Sequence, residues 1–140
     1  MRVSAKTEYA CVAMLELAAS YASGQPVRIR NIAQRHGVPS RFLVQILLRL
    51  KGAGLVASTR GAAGGYRLNR PPEQITLGAI LAAIEGQEEL TSGAADSSPF
   101  SQVLQAVWSE ADQAQRDVLA GVTLDALVQR ADIDEPMYYI

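Results

Sequence analysis

The chain has very little with which to build covalent or metal-based chemistry. Among 140 residues there is one cysteine, Cys11, and one histidine, His36. One thiol closes no internal disulfide, and one thiol with one imidazole completes none of the usual zinc or iron–sulfur ligand sets. Long apolar stretches are missing too. Ile46-Leu47-Leu48 and Ile80 to Ile84 fall far short of the ~20 residues of a membrane-spanning helix, and Met1 to Lys6 lacks the charged-then-apolar order of a signal peptide. These absences set the expectation of a cytoplasmic protein with no membrane partner. There is also no Ser/His/Asp set in a workable order, no glycine-rich phosphate loop ending in Lys-Ser or Lys-Thr, and no clustered acid pair, so an enzyme is not expected.

Each half of the chain is short of one sign of charge. Residues 1–70 hold 11 Lys and Arg against two carboxylates, a formal +9; residues 71–140 hold two against 12, a formal −10. A basic half joined to an acidic half suits a polyanion-binding module whose carboxyl-terminal part stays off the polyanion. The plainer alternative is a solvated surface. With 49% hydrophobic residues the chain has enough apolar material for one globular domain, or a small domain plus an appendage.

Hydrophobic spacing predicts a mainly α protein with a small β-hairpin. Residues 4–22 read as a helix capped by Ser4, with Tyr9, Ala13 and Leu17 on one stripe and Ala10, Met14 and Tyr21 beside it. A short second helix over 29–36 is stopped by Gly37 and Pro39, and Ser40 is expected to cap a third. There Leu43, Ile46, Leu47 and Leu50 recur at i, i+3, i+4 and i+7 and face a core, while Arg41, Gln45 and Arg49 form a donor stripe at i, i+4 and i+8. Gly52 and Gly54 close that helix, and Leu55 to Asn69 switch to strand, glycine loop and strand with a basic tip. After Pro71-Pro72, Thr76 caps a helix with Leu77, Ile80 and Ile84 inward and Gly86 as its stop.

The acidic half reads differently. Residues 87–97 are linker-like, and beyond them Phe100, Leu104, Val107, Ala111, Ala114 and Val118 are spaced 4, 3, 4, 3, 4, the period of a helix packing along another helix. This stripe is roughly 27 Å long at ~1.5 Å per residue. So long a helix on so small a module points to a dimerisation helix; the alternative is a helix buried in its own chain's core. Thr123-Leu124 opens a last short helix before a frayed tail. The expected layout is therefore a winged helix-turn-helix domain over 1–86 with its wing at 55–69, a linker over 87–97, a dimerisation helix and short helix over 98–130, and a tail over 131–140.

Two short helices joined by a tight turn, the second carrying donors, then a two-stranded hairpin, make the layout of a winged helix-turn-helix. Arg and Gln match the groove edges of guanine and adenine, which makes Arg41, Gln45 and Arg49 the groove candidates. Ser40 and the free N–H groups beside it could hold a phosphate at the helix start. Arg60 at the wing tip would reach a minor groove or backbone, and Gly61, Gly64 and Gly65 would permit close approach to a phosphodiester, or simply make a tight turn.

The segments MRVSAKTEYACVAMLELA, PSRFLVQILLRLKGAGLV, STRGAAGGYRL and ITLGAILAAIEG, with GVTLDALV further on, closely resemble the Rrf-two family of bacterial winged-helix transcriptional regulators over roughly residues 1–130. The resemblance implies a homodimer on a partly palindromic double-stranded DNA operator, the third helix in the major groove, the wing in the minor groove and the long helix crossing its mate. It carries contacts onto Arg41, Phe42, Gln45, Arg60, Gly65 and Tyr66, and more loosely onto Arg2, Ser4 and Lys6.

Departures from the family pattern are informative. Many members hold an iron–sulfur cluster on three cysteines before the long helix, and QEELTSGAADSSPFSQ has none. The chain thus resembles the cysteine-free branch: no cluster is expected, and a small molecule or protein is left as effector. A glutamate common before the equivalent of Gln45 is Val44 here, which can contact a thymine methyl but not accept from cytosine. Ala62-Ala63 replace a common wing proline.

Of the remaining residues, Cys11 reads as a small buried hydrophobe and His36 as a partner for its helix's carboxyl-terminal dipole. Trp108, beside the long stripe, reads as dimer core or as the lining of a pocket against the DNA-binding module. The leading expectation is a homodimeric repressor. The rival is a module whose winged fold docks an acidic protein, which the apolar Val44 and Leu48 on the third helix would favour.

Overall fold

The computed structural model describes residues 1–86 and 98–134. The linker expected over 87–97 and the tail beyond Asp134 lie outside the described residues. The order is α1 (Ala5–Ala19), a 3-10 turn (Tyr21–Ser23), α2 (Ile29–His36), α3 (Ser40–Gly52), β1 (Val56–Thr59), β2 (Gly65–Leu68), a 3-10 turn (Pro72–Gln74), α4 (Leu77–Glu85), α5 (Pro99–Ala120) and α6 (Leu124–Asp134).

Helix α1 is the hub. Ser4 caps it, its Oγ accepting from the Thr7 N–H at 3.1 Å, and it buries Ala10, Ala13, Met14, Leu17 and Ala18 against α2, α3, α4, α6 and β2. Its alanines let several neighbours approach one short helix. The helix stops earlier than its pattern suggests: Ser20 leads into the 3-10 turn, which Gly24 closes with a left-handed φ of 72°. Tyr21 therefore leaves the stripe and is exposed.

Gly37, at φ 66°, ends α2 by donating to the Ala33 carbonyl and turns the chain into α3. The cap of α3 is a correction to expectation. Pro39, extended at φ −61° and ψ 131°, occupies the cap position and its carbonyl accepts from the Phe42 and Leu43 N–H groups; Ser40 is the first helical residue and makes no side-chain cap. Leu43, Ile46, Leu47 and Leu50 are all buried, as the spacing predicts. Among the core residues Met14, Leu17, Ile32, Leu43, Leu47, Ile75, Ile80 and Leu124 are fully buried, each contributing about 1.5–3 kcal/mol of hydrophobic stabilisation.

Strands β1 and β2 pair antiparallel with Val56 opposite Leu68 and Thr59 opposite Gly65. The hairpin is tied to the body on its other edge. Val27, in the connection before α2, exchanges two backbone hydrogen bonds with Tyr66, at 2.7 and 2.8 Å.

A second backbone clasp joins two parts of the chain that the sequence suggested were separate. Leu77 donates to the Val122 carbonyl and Leu124 to the Ile75 carbonyl, both at 2.9 Å. Thr76 and Thr123 face each other across this bridge, each capping its own helix by accepting from Ala79 and Ala126 N–H groups. With Leu124 fully buried and α6 packed on α1, α6 belongs to the amino-terminal body rather than with α5. It continues to Asp134, past the expected boundary at 130. The paired Ile75-Thr76-Leu77 and Val122-Thr123-Leu124 were the signal in the sequence.

Helix α5 begins under a Ser98 cap with Pro99 in its first turn and buries none of its 22 residues. It meets the body on α4, where Gly78 leaves room for the backbone of Leu119 and Ala120. Phe100, Leu104, Val107, Ala111, Ala114 and Val118 are all exposed. The alternative that this stripe fills its own chain's core is thereby excluded.

Candidate nucleic-acid interface

With Leu43, Ile46, Leu47 and Leu50 turned inward, the ~100° rotation per residue of an α-helix sends Arg41, Gln45 and Leu48 to the opposite side of α3. Val44 sits on the shoulder shared with Lys51. That shoulder faces the wing, because the Lys51 Nζ donates to the Ser58 Oγ of β1 at 2.7 Å. Phe42 sits on the other shoulder, stacked on Tyr9 of α1 with ring centroids 6.1 Å apart. The Arg41 guanidinium carbon lies 5.0 Å from the Phe42 centroid. A cation–π contact of this kind orients Arg41 before any ligand arrives.

Arg49 is placed elsewhere than expected. Its Nη1 donates to the Ile84 carbonyl at 2.8 Å, satisfying one of the unpaired carbonyls at the end of α4. The three-residue donor stripe thus divides: all three residues are exposed, but Arg41 and Gln45 are presented outward and Arg49 is bonded to the end of α4. Spacing of i, i+4, i+8 drifts around a 3.6-residue helix, and the third position reaches α4.

The wing shows a similar division. Arg60 and Gly61 are exposed at its tip. Gly64 and Gly65 serve the protein's own packing: a Cβ on Gly64 would lie 2.2 Å from the Thr59 carbonyl oxygen, and one on Gly65 2.5 Å from that of Val27. The close packing of the chain's own backbone is thus enough to require glycine at both positions. Tyr66 is half-buried against the core.

Near the amino terminus Arg2 and Lys6 are exposed, whereas Ser4 is engaged. Besides capping α1, its Oγ lies 2.9 Å from the Glu85 Oε1, to which the Thr7 hydroxyl donates at 2.5 Å. These bonds from Thr7 and Ser4 hold the Glu85 carboxyl below its ordinary pKa. His36 is likewise tied to a side chain: its Nε2 lies 3.3 Å from the Glu16 Oε2, while Arg35 reaches the Glu16 Oε1 at 2.7 Å.

Lys51 and Tyr9 belong to this surface, and sequence reasoning missed both. Lys51 was marked only by its place on the helix one turn before the hairpin. Tyr9 looked like an ordinary core position. The pocket expected near Trp108 lies further along. A cavity of about 470 Å³ opens between Arg2, the α4 residues Leu81, Ala82 and Glu85, and the α5 residues Asp112, Gln115 and Arg116, and Trp108 is not in its wall.

A helix-turn-helix whose second helix presents oriented donors, followed by a basic two-stranded wing, defines a winged helix-turn-helix DNA-binding regulator. The chain belongs to the Rrf2 family. The family model described as "Iron-dependent Transcriptional regulator" matches residues 3–130. The chain is 34% identical to the HTH-type transcriptional regulator CymR of Bacillus subtilis over 138 residues, covering 99% of this chain and 97% of that one. To IscR of Photobacterium profundum it is also 34% identical, covering 96% and 80%. Among solved structures, CymR, the global cysteine regulator of B. subtilis, superposes with a TM-score of 0.83 at 32% identity, covering 93% of this chain and 98% of that one. IscR of T. potens gives 0.81 at 34%, covering 99% and 95%. The chain is a DNA-binding transcriptional regulator and not an enzyme. Among the described residues no helix is long and apolar enough to cross a membrane.

The "iron-dependent" description is not matched by a set of thiolate donors in this chain. Its sole thiol, Cys11, packs half-buried against the core, and burial, followed by Glu8 and Glu85, pushes its pKa up to about 11. A thiol held protonated is a poor ligand, and one thiol cannot replace the several that an iron–sulfur cluster needs.

Proposed function

We propose that the protein is a cytoplasmic homodimeric repressor that binds a two-fold operator, with α3 of each protomer in a major groove and each wing in the flanking minor groove or on its backbone. The observation that carries this reading is Arg41 held on the Phe42 ring, with Gln45 one turn further along the same outward face. A guanidinium reads guanine through two acceptors, and a carboxamide reads adenine through a donor and an acceptor. Arg60, Lys6 and Arg2 supply backbone contacts around this centre, and Ser40 with the first α3 N–H groups faces a phosphate. The uncovered stripe Phe100, Leu104, Val107, Ala111, Ala114 and Val118, with Trp108 beside it, is the seam between protomers.

Without a cluster, the regulator answers to a small molecule or a partner protein. The cavity between α4 and α5 is of ligand size, and filling it would shift the long helix against the body. The test is selection of sheared genomic DNA on the purified protein at physiological salt, followed by sequencing. Recovery of a few promoters sharing a two-fold motif, together with derepression of those genes on deletion, supports the reading. Random or no recovery overturns it.

A further inference from the structure

The outward face of α3 carries an apolar ridge that the donor pair leaves unexplained. Val44 is 43% exposed and Leu48 55% exposed, four residues apart, with Arg41 and Gln45 alongside. Large aliphatic side chains facing water on a helix gain nothing there, whereas the same helix buries four others correctly. Within α3, SRFLVQILLRLKG, there is no carboxylate. The face therefore holds cationic and carboxamide donors, a single carboxamide acceptor in Gln45, and two aliphatic groups.

On the major-groove edges of DNA the one apolar group is the C5 methyl of thymine, and the cytosine amino group calls for an acceptor. Resting on the DNA-binding reading above, we infer that Val44 and Leu48 are specificity-determining residues that select thymine through its methyl group, beside the base pair read by Gln45. The half-site then combines a guanine facing Arg41 with an A·T-rich step facing Gln45, Val44 and Leu48. Cytosine is disfavoured opposite Val44 and Leu48, which offer its amino group no acceptor. The surrounding charge suits a polyanionic occupant, since the ridge is embedded in the half of the chain that carries a formal +9 and is flanked by Lys51 and the wing, and the neighbouring Arg41 and Gln45 match base edges rather than carboxylates.

The experiment is a pair of parallel selections from one random duplex library, made once with thymine and once with uracil, which pairs identically but lacks the methyl. The thymine library is expected to yield a two-fold motif with an enriched thymine in each half-site, and the uracil library the same motif with the enrichment at that position reduced. In the selected duplex, each thymine→uracil replacement there lowers affinity about fourfold, the effect of one buried methyl-sized group. Val44→Ala and Leu48→Ala, at exposed positions outside the core, bind the two duplexes equally while keeping the wild-type melting curve. Equal affinity of wild type for thymine and uracil duplexes overturns the inference and leaves sequence-specific binding intact. No motif from either library overturns the DNA reading beneath it.

Discussion

The amino-terminal body and the long helix α5 are built from similar proportions of apolar residues and have opposite fates. In the body, eighteen hydrophobic side chains are buried among the described residues, shared among α1, α2, α3, α4, α6 and the wing. In α5, 22 residues long, none is. A helix in a protein derives most of its stability from packing an amphipathic face rather than from propensity. The body can therefore hold itself together, while α5 leaves its apolar stripe uncovered, as the proposed seam between protomers requires. The same contrast recurs within α3, where Arg41 and Gln45 are presented outward and Arg49 is bound to the end of α4.

The sharpest way to break the comparison is to place charges in the stripe. Leu104→Asp with Val107→Asp is expected to convert a dimer to a monomer at micromolar concentration in sedimentation velocity, because unpaired carboxylates in an apolar seam cost several kcal/mol. The body's denaturation midpoint at low concentration should stay in place; a surviving dimer would remove α5 from the interface. Leu47→Ala is the converse experiment. It truncates a fully buried residue and should destabilise the body by about 2–5 kcal/mol in urea unfolding, and an effect below 1 kcal/mol would show that this core is not what holds the domain.

A smaller effect separates the two arginines of α3. Arg41→Ala should weaken binding to the selected operator by about 1–3 kcal/mol and relax base preference at one position per half-site. Arg49→Ala should lower stability by about 1 kcal/mol, because the Ile84 carbonyl is left without its donor, and should leave base preference unchanged. Loss of base preference in Arg49→Ala would reverse these assignments. Arg60→Ala should flatten the salt dependence by about one unit for each phosphate that is no longer neutralised, in titrations against potassium chloride.

The smallest effect concerns the tie between α1 and α4. The Glu85 carboxyl, lowered by Thr7 and Ser4, stabilises the fold when ionised, so its contribution is present above the unfolded-state pKa and is lost as pH falls through the folded value. Wild type should therefore exceed Glu85→Gln in stability by less than 1 kcal/mol at neutral pH, and the two should converge in acid. A difference that persists in acid would point to packing rather than charge.

Much of this was legible in the order of the residues. The buried stripe of α3, the αL stop at Gly37, the Thr76 cap and the wing follow from local rules of period, capping and turn chemistry. The outward stripe of α5 was legible as well, since its 3-4 spacing asks for another helix. Other features were not. The placement of Arg49, the internal service of Gly64 and Gly65, the return of α6 to α1 and the bond from His36 to Glu16 all join residues distant in the chain.

By itself the sequence determined which faces are apolar, roughly where most helices lie, and on which half the positive charge falls, because these depend on neighbours within one or two turns. Only the tertiary structure decided which exposed-looking donors remain available. A guanidinium on a long side chain goes to whichever unpaired carbonyl lies within its reach, and for Arg49 that carbonyl is supplied by Ile84, 35 residues away.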